Sequence, residues 1–146
     1  MDEQIKVLVS ASEQAQISRA VIKWLNSYPD KPIDKLDFEF LGKTKGLCIS
    51  TVQTAYKTRQ YINGGYQAQY QFQIVYRMIA ANADQRLAAD EALDAYGEWA
   101  EQNPPELPEG INRWKIRRDT GASIMARYDN NAEDHTIQLT LIYEVI

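Results

Sequence analysis

Between Tyr61 and Ala80 the chain alternates without interruption. Tyr66, Ala68, Tyr70, Phe72, Ile74, Tyr76 and Met78 share one parity, and Gln67, Gln69, Gln71 and Gln73 occupy the other. Successive side chains of a strand point to opposite sides, so this pattern predicts one strand with a single apolar face. About 15 residues at about 3.3 Å each would span roughly 50 Å, well beyond an ordinary strand, so part of it is expected to project as a hairpin arm. The preceding Asn63-Gly64-Gly65 supplies the positive φ angles of a tight hairpin turn, with "AYKTRQYI" as the first limb. The polar parity is neutral glutamine where a plain solvated face would carry Lys and Glu. Amides can bond to neighbouring groups without burying charge, which suits a surface meant for another sheet, another subunit or a lumen.

The rest of the chain divides in the same way. Ser10 and Glu13 have capping-box spacing, and Ile17, Val21, Trp24 and Leu25 follow at helical intervals, predicting a helix from about Ser12 to Ser27 that "YPDKP" stops. "KLDFEFL" and "GLCISTV" read as two strands of a hairpin joined through Gly42 to Gly46. Asn82 and Gln85 form a second capping box, and Ala88, Ala89, Ala92, Leu93, Ala95, Tyr96, Trp99 and Ala100 form an apolar stripe, predicting a helix from about Asp84 to Glu101. "NPPELPEG" ends it as a stiff connector, and "INRWKIRRD", "SIMARYD" and "HTIQLTLIYEVI" are three further strands. The expected architecture is α+β: one domain over residues 1–146, with helices at about 12–27 and 84–101 packed on one face of a mainly antiparallel sheet built from about 35–80 and 112–146.

Composition narrows the functional classes. A chain of 146 residues, 45% hydrophobic and 25% charged, can bury a core as one domain. No apolar run approaches the roughly 20 residues of a membrane span. The acidic opening "MDEQIKVLVS" does not read as a signal peptide, so the expected location is the cytoplasm. A formal charge of −4 and a pI near 5.0 argue against neutralising many nucleic-acid phosphates.

Candidate chemistry is sparse. His135, the single histidine, sits beside Glu133 and Asp134 and reads as a solvated turn residue; one histidine cannot build a His-based nucleophile system or a multi-histidine metal site. "DNNAED" at Asp129 to Asp134 lacks EF-hand spacing and reads as a turn, Gly64-Gly65 lacks the helix of a phosphate cradle, and Cys48, the only cysteine, reads as an inert core thiol. Catalytic, cofactor-binding and metal residues are therefore expected to be none. Charge is more telling. Asp84, Asp90, Glu91, Asp94, Glu98, Glu101, Glu106 and Glu109 face one base, Arg86, whereas Lys43, Lys45, Lys57, Arg59, Arg113, Lys115, Arg117 and Arg118 cluster elsewhere. Such separation suits a head-to-tail contact between identical subunits.

The segment "KGLCISTVQTAYKTRQYINGGYQAQYQFQIVYRM", then "ADQRLAADEALDAYGEWAEQ", "LPEG" and the terminal "LTLIYEVI" resembles the tail terminator and minor capsid proteins of long-tailed bacteriophages and prophages of Gram-positive hosts. The likeness runs from about Gly46 to Ile146. It implies a non-enzymatic structural protein of the virion neck, synthesised in the host cytoplasm and monomeric in isolation or hexameric as a ring. It also implies the tail tube protein and a head-completion protein as partners, with double-stranded DNA passing through the lumen unread and no membrane involved. Subunit or tube contacts fall on Tyr56, Arg59, Tyr61, Asn63, Gly64, Gly65 and Tyr66. The alternatives are a head-completion or connector protein of the same neck, and a dimeric domain using its aromatic strand face as a small-molecule pocket.

Overall fold

A computed structural model describes residues 2–52 and 57–145, and the side chains of these except 2–12, 113 and 114. The order is α1 (Asp2–Asn26), β1 (Asp37–Phe38), β2 (Gly46–Thr51), β3 (Lys57–Gln60), β4 (Tyr66–Met78), α2 (Ala83–Gln102), β5 (Ile111–Arg118), β6 (Ser123–Arg127) and β7 (Glu133–Val145). The strands form one seven-stranded sheet in the order β1-β2-β4-β7-β5, with β3 also on β4 and β6 also on β7. Only β1 and β2 run parallel; the other pairs are antiparallel. This is the α+β architecture that the hydrophobic pattern implies.

Two 13-residue strands make the spine, and β4 pairs with β7 along its whole length, from Tyr66 opposite Val145 to Met78 opposite Glu133. The hairpin that Asn63-Gly64-Gly65 signals is present, but the length of β4 lies within the sheet, because β7 offers a partner to each residue of it. What reaches past the sheet is the turn. Both helices cover the face that carries Tyr66, Ala68, Tyr70, Phe72 and Ile74 from β4 and Ile137, Leu139, Leu141 and Tyr143 from β7. Ile17, Val21, Trp24 and Leu25 of α1 and Leu93, Tyr96 and Ala100 of α2 fill the space above them. Tyr28 stacks on Tyr96 and Trp99 at ring-centroid distances of 4.5 and 5.0 Å, and Trp24 lies 6.0 Å from Trp99, so aromatic rings join the two helix ends.

The caps are mixed. Asn82 accepts from the Gln85 amide at 3.0 Å, and Gln85 Oε1 accepts from the Ala81 amide at 2.7 Å, so the second capping box starts α2 where its spacing places it. The first does not act as one. Helix α1 already runs through Ser10 from Asp2, and Glu13 is buried against the sheet, accepting from the hydroxyls of Tyr66 and, at 2.9 Å, Tyr143. The chain turns out of α1 at Ser27 and Tyr28 ahead of Pro29, and Lys31 Nζ donates to the Asn26 and Tyr28 carbonyls at 2.8 and 2.7 Å.

Two further expectations are corrected. "KLDFEFL" and "GLCISTV" are not a hairpin: Asp37 and Phe38 run parallel to Cys48 and Ile49, and Glu39 breaks the alternation at φ 55°. Glu39 instead folds its carboxylate back onto the Thr51 amide at 2.7 Å and the Ser50 and Thr51 hydroxyls at 3.1 Å. His135 is not solvated; it lies fully buried in β7, with Nδ1 2.7 Å from Asp90 Oδ1 on α2 and Nε2 3.7 Å from Glu133. Glu133 and Asp134 are buried with it. Their charges are met by Arg86 and Arg127 at Glu133 and by Arg77 at Asp134. Cys48 is a buried free thiol in β2, raised to about 11 by burial and then by Glu39.

Candidate assembly surfaces

The hairpin tip gathers most of the residues that the sequence nominates. Tyr61 N donates to Gly65 O at 2.8 Å, Gly64 N donates to Tyr61 O at 3.2 Å, and Gly65 N donates to Asn63 Oδ1 at 3.0 Å, closing a tight turn in which Gly64 takes φ 92°. Arg59, Asn63 and Gly64 are exposed. Tyr61 is half-buried and donates to Glu144 Oε2 at 2.6 Å, a bond that raises the phenol above its ordinary value. Gly65 is buried, and Tyr66 packs in the core with its hydroxyl held by Glu13 beneath α1. Tyr56 lies outside the described residues. Sequence reasoning passed over Ile62, which stands fully exposed at 108% between Tyr61 and Asn63. The available signal was an aliphatic residue at a turn crest, where polar residues are usual.

On the sheet face away from the helices, Gln67, Gln69, Gln71 and Gln73 stand opposite Glu144, Ile142, Thr140 and Gln138. The amides serve as lateral ties: Thr58 donates to Gln67 Oε1 at 3.2 Å, Gln71 donates to Asp119 at 3.3 Å, and Thr136 donates to Gln73 at 3.2 Å. Several charged groups here are matched within the chain. Arg77 grips Asp134 through Nε and Nη2 at 2.7 and 2.8 Å, and Tyr128 donates to the same carboxylate at 2.7 Å. Burial works against the charge on Asp134, yet the bonds from Arg77 and Tyr128 outweigh it and hold the carboxyl below its usual range. Asp119 is held low in the same way, burial being outweighed by Thr140, Arg117 and Gln71. The result is a face of neutral amides and several matched charges, with Lys115 and Arg59 left without an ion pair among the described residues. Phe40 and Met125, 65% and 48% exposed, flank an open trough of about 310 Å³ on it.

The acidic helix is partly spent inside the chain. Asp90 holds His135, Asp94 accepts from the Ala122 amide at 2.9 Å, and Arg118 reaches Glu101 at 3.3 Å and Asp94 at 3.8 Å. Arg117 pairs with Asp119 at 2.8 Å. Two of the strand bases that the sequence offers for contacts between subunits are therefore committed within one subunit. Asp84, Glu91, Glu98, Glu106 and Glu109 remain exposed without an ion pair among the described residues.

The aromatic strand face is mostly sealed, Phe72 and Ile74 being fully buried under the helices, while Tyr70, 3% exposed, reaches a groove at its edge. An open groove of about 670 Å³ lies at the other flank of α1, between Ser18, Arg19 and Ile22 and the sheet at Phe38, Thr51 and Tyr70. Among the described residues no three His, Cys, Asp or Glu side chains stand close enough to hold a metal ion, and no helix is long and apolar enough to cross a membrane.

No family model and no curated protein matches the sequence. Its fold does match: a chain from the virion of a native gene transfer agent particle superposes with a TM-score of 0.56 at 16% identity, over 93% of this chain and 97% of that one. A second solved structure aligns over 91% of this chain and 92% of its own at 18% identity, with a TM-score of 0.45 that carries no argument. The first match establishes that the whole fold, helices and sheet together, is shared end to end.

Proposed function

We propose that this chain is a structural subunit of a phage-type virion and acts there as a tail terminator. Copies close into a ring, a hexamer by the family resemblance, on the head-proximal end of the tail tube. The ring stops tube polymerisation and offers the surface that joins the filled head. The observation that carries the virion part of this reading is the end-to-end fold match to a chain of the gene transfer agent virion. The finer assignment rests on the resemblance carried by "YINGG", the long alternating strand and the helix that follows it.

In this reading no bond is made or broken. The ring occupies the growing end with a surface that the tube subunit accepts on one side and cannot continue on the other, so specificity is geometric. Around the trough the helix-free face, with Arg77 and Asp134 matched to each other and apolar Phe40 and Met125 beside it, suits burial against another protein, since little unpaired charge has to be desolvated there. DNA passes without being read, consistent with a pI near 5.0. The chain belongs in the virion, and its assembly takes place in the host cytoplasm.

Tube growth provides the test. Adding the protein in amounts well below the tube subunit should arrest elongation and shorten the tubes, read by light scattering. Unchanged growth together with binding to purified heads would move the chain to the head-completion role, and binding to neither would end the neck reading.

A further inference from the structure

Two exposed features lie at opposite edges of the sheet. On the β3 flank, all four residues of β3 are exposed, Lys57 and Arg59 form no ion pair among the described residues, with the Lys57 ammonium resting 4.3 Å from the Tyr66 ring centre, and the turn beyond them presents Ile62 bare to solvent. On the other flank, a groove of about 460 Å³ runs between the outer side of α1, at Ala20, Lys23 and Trp24, and the strap Pro104 to Pro108. Trp24 Nε1 donates to Asn103 O at 2.5 Å at one end of the strap, and Ile111 N donates to Pro108 O at 3.1 Å at the other. With three prolines between these anchors, the groove is preformed. Its wall carries one acid, Glu106, and one base, Lys23, and exposed Glu109 follows the strap directly; neither acid forms an ion pair among the described residues.

The strand register sets both features at one end of the sheet. Ile111, which follows the strap, pairs with Val145, and Val145 pairs with Tyr66, the first residue after the turn. One flank carries two bases beside an apolar knob, the other an apolar groove with Glu106 on its wall and Glu109 beyond it, and the turn and the C-terminal end of the strap lie at the same end of the sheet. That is the geometry of a heterologous contact, in which two different patches of one chain meet and the repeat closes into a ring. We propose that the hairpin tip of one copy seats Ile62 in the groove between α1 and the Pro104–Pro108 strap of a second copy, with Lys57 and Arg59 against Glu106 and Glu109. The apolar contact forms the dry centre and the opposed charges the rim. The inference rests on the ring reading only in requiring that copies of the chain meet.

Disulfide trapping tests it. Ile62→Cys and Glu106→Cys are made separately, both at exposed positions, with the buried Cys48 left in place. Mixed at high concentration and low salt under a mild oxidant, the two variants should cross-link to each other several-fold more than either does alone. The link should weaken at high salt, where exposed charges are screened. Reversing Lys57→Glu and Arg59→Glu on the Ile62→Cys chain should cut the link several-fold, and adding Glu109→Lys to the Glu106→Cys chain should restore it. Equal cross-linking within either variant alone would mean a two-fold contact and overturn the proposal. So would a mixture that links no better than Ile62→Cys with Thr44→Cys. Tube capping without the link would discard this contact and keep the terminator role; the link without capping would do the reverse.

Discussion

At Gly97 a Cβ would lie 2.6 Å from Ile137 Cδ1 and 2.8 Å from Arg118 Cδ, so α2 can approach β7 only because this residue has no side chain. Ile137 is fully buried and cannot swing away. Gly97→Ala is expected to destabilise the fold by about 1–3 kcal/mol, despite the better helix propensity of alanine, through overpacking, as read by urea midpoint. Asp134 and Asp119 set the acid limit. Both carboxyls are held below their ordinary value in the folded chain, so their contribution is complete above the unfolded value of about 3.9 and is lost as pH falls through the folded ones. Stability should therefore fall as pH is lowered from 5 toward 2, and Asp134→Asn should start lower and lose less over that interval. An unaltered pH profile in that variant would remove Asp134 from the account. The buried Glu133, Asp134 and His135 also show what a local reading misses. "EDH" after a turn looks solvated, because the groups that compensate it, Arg77, Arg86 and Asp90, come from β4 and α2.

At the scale of elements, β4 and β7 were legible because alternation over 13 residues has one physical meaning, and α2 because its cap, stripe and proline stop agree. β1 was not legible as it stands. Two residues alternate too briefly to define a strand, and nothing local distinguishes a parallel from an antiparallel partner. The start of α1 was misplaced because Ser10 and Glu13 satisfy the capping spacing while Glu13 serves the sheet instead. That service is testable. Glu13 receives both Tyr66 and Tyr143, so Tyr66→Phe and Tyr143→Phe should each cost about 1.5–3 kcal/mol, and the double variant should depart from their sum because one carboxylate links them. Additive costs would show that the two tyrosines act separately. Hydrogen exchange should be slowest at Phe72 to Val75 and Leu139 to Leu141, where strands flank both sides, and fast in β3.

For the whole molecule, burial and charge are sorted by surface. Helices seal one face of the sheet, and neutral amides with several internally matched charges cover much of the other. The hairpin turn was legible in "YINGG"; exposed Ile62 at its crest and the groove beside α1 were not, because the groove exists only once α1 and the Pro104–Pro108 strap are folded together. An assembly held by opposed charges should weaken with ionic strength, in contrast to the fold itself, whose buried ion pairs are little screened. The most direct measurement of the central claim is electron microscopy of polymerised tail tubes from the same genetic source after mixing with the purified chain. The account predicts a ring at one end of each tube and no further growth there; bare ends on both sides would contradict it.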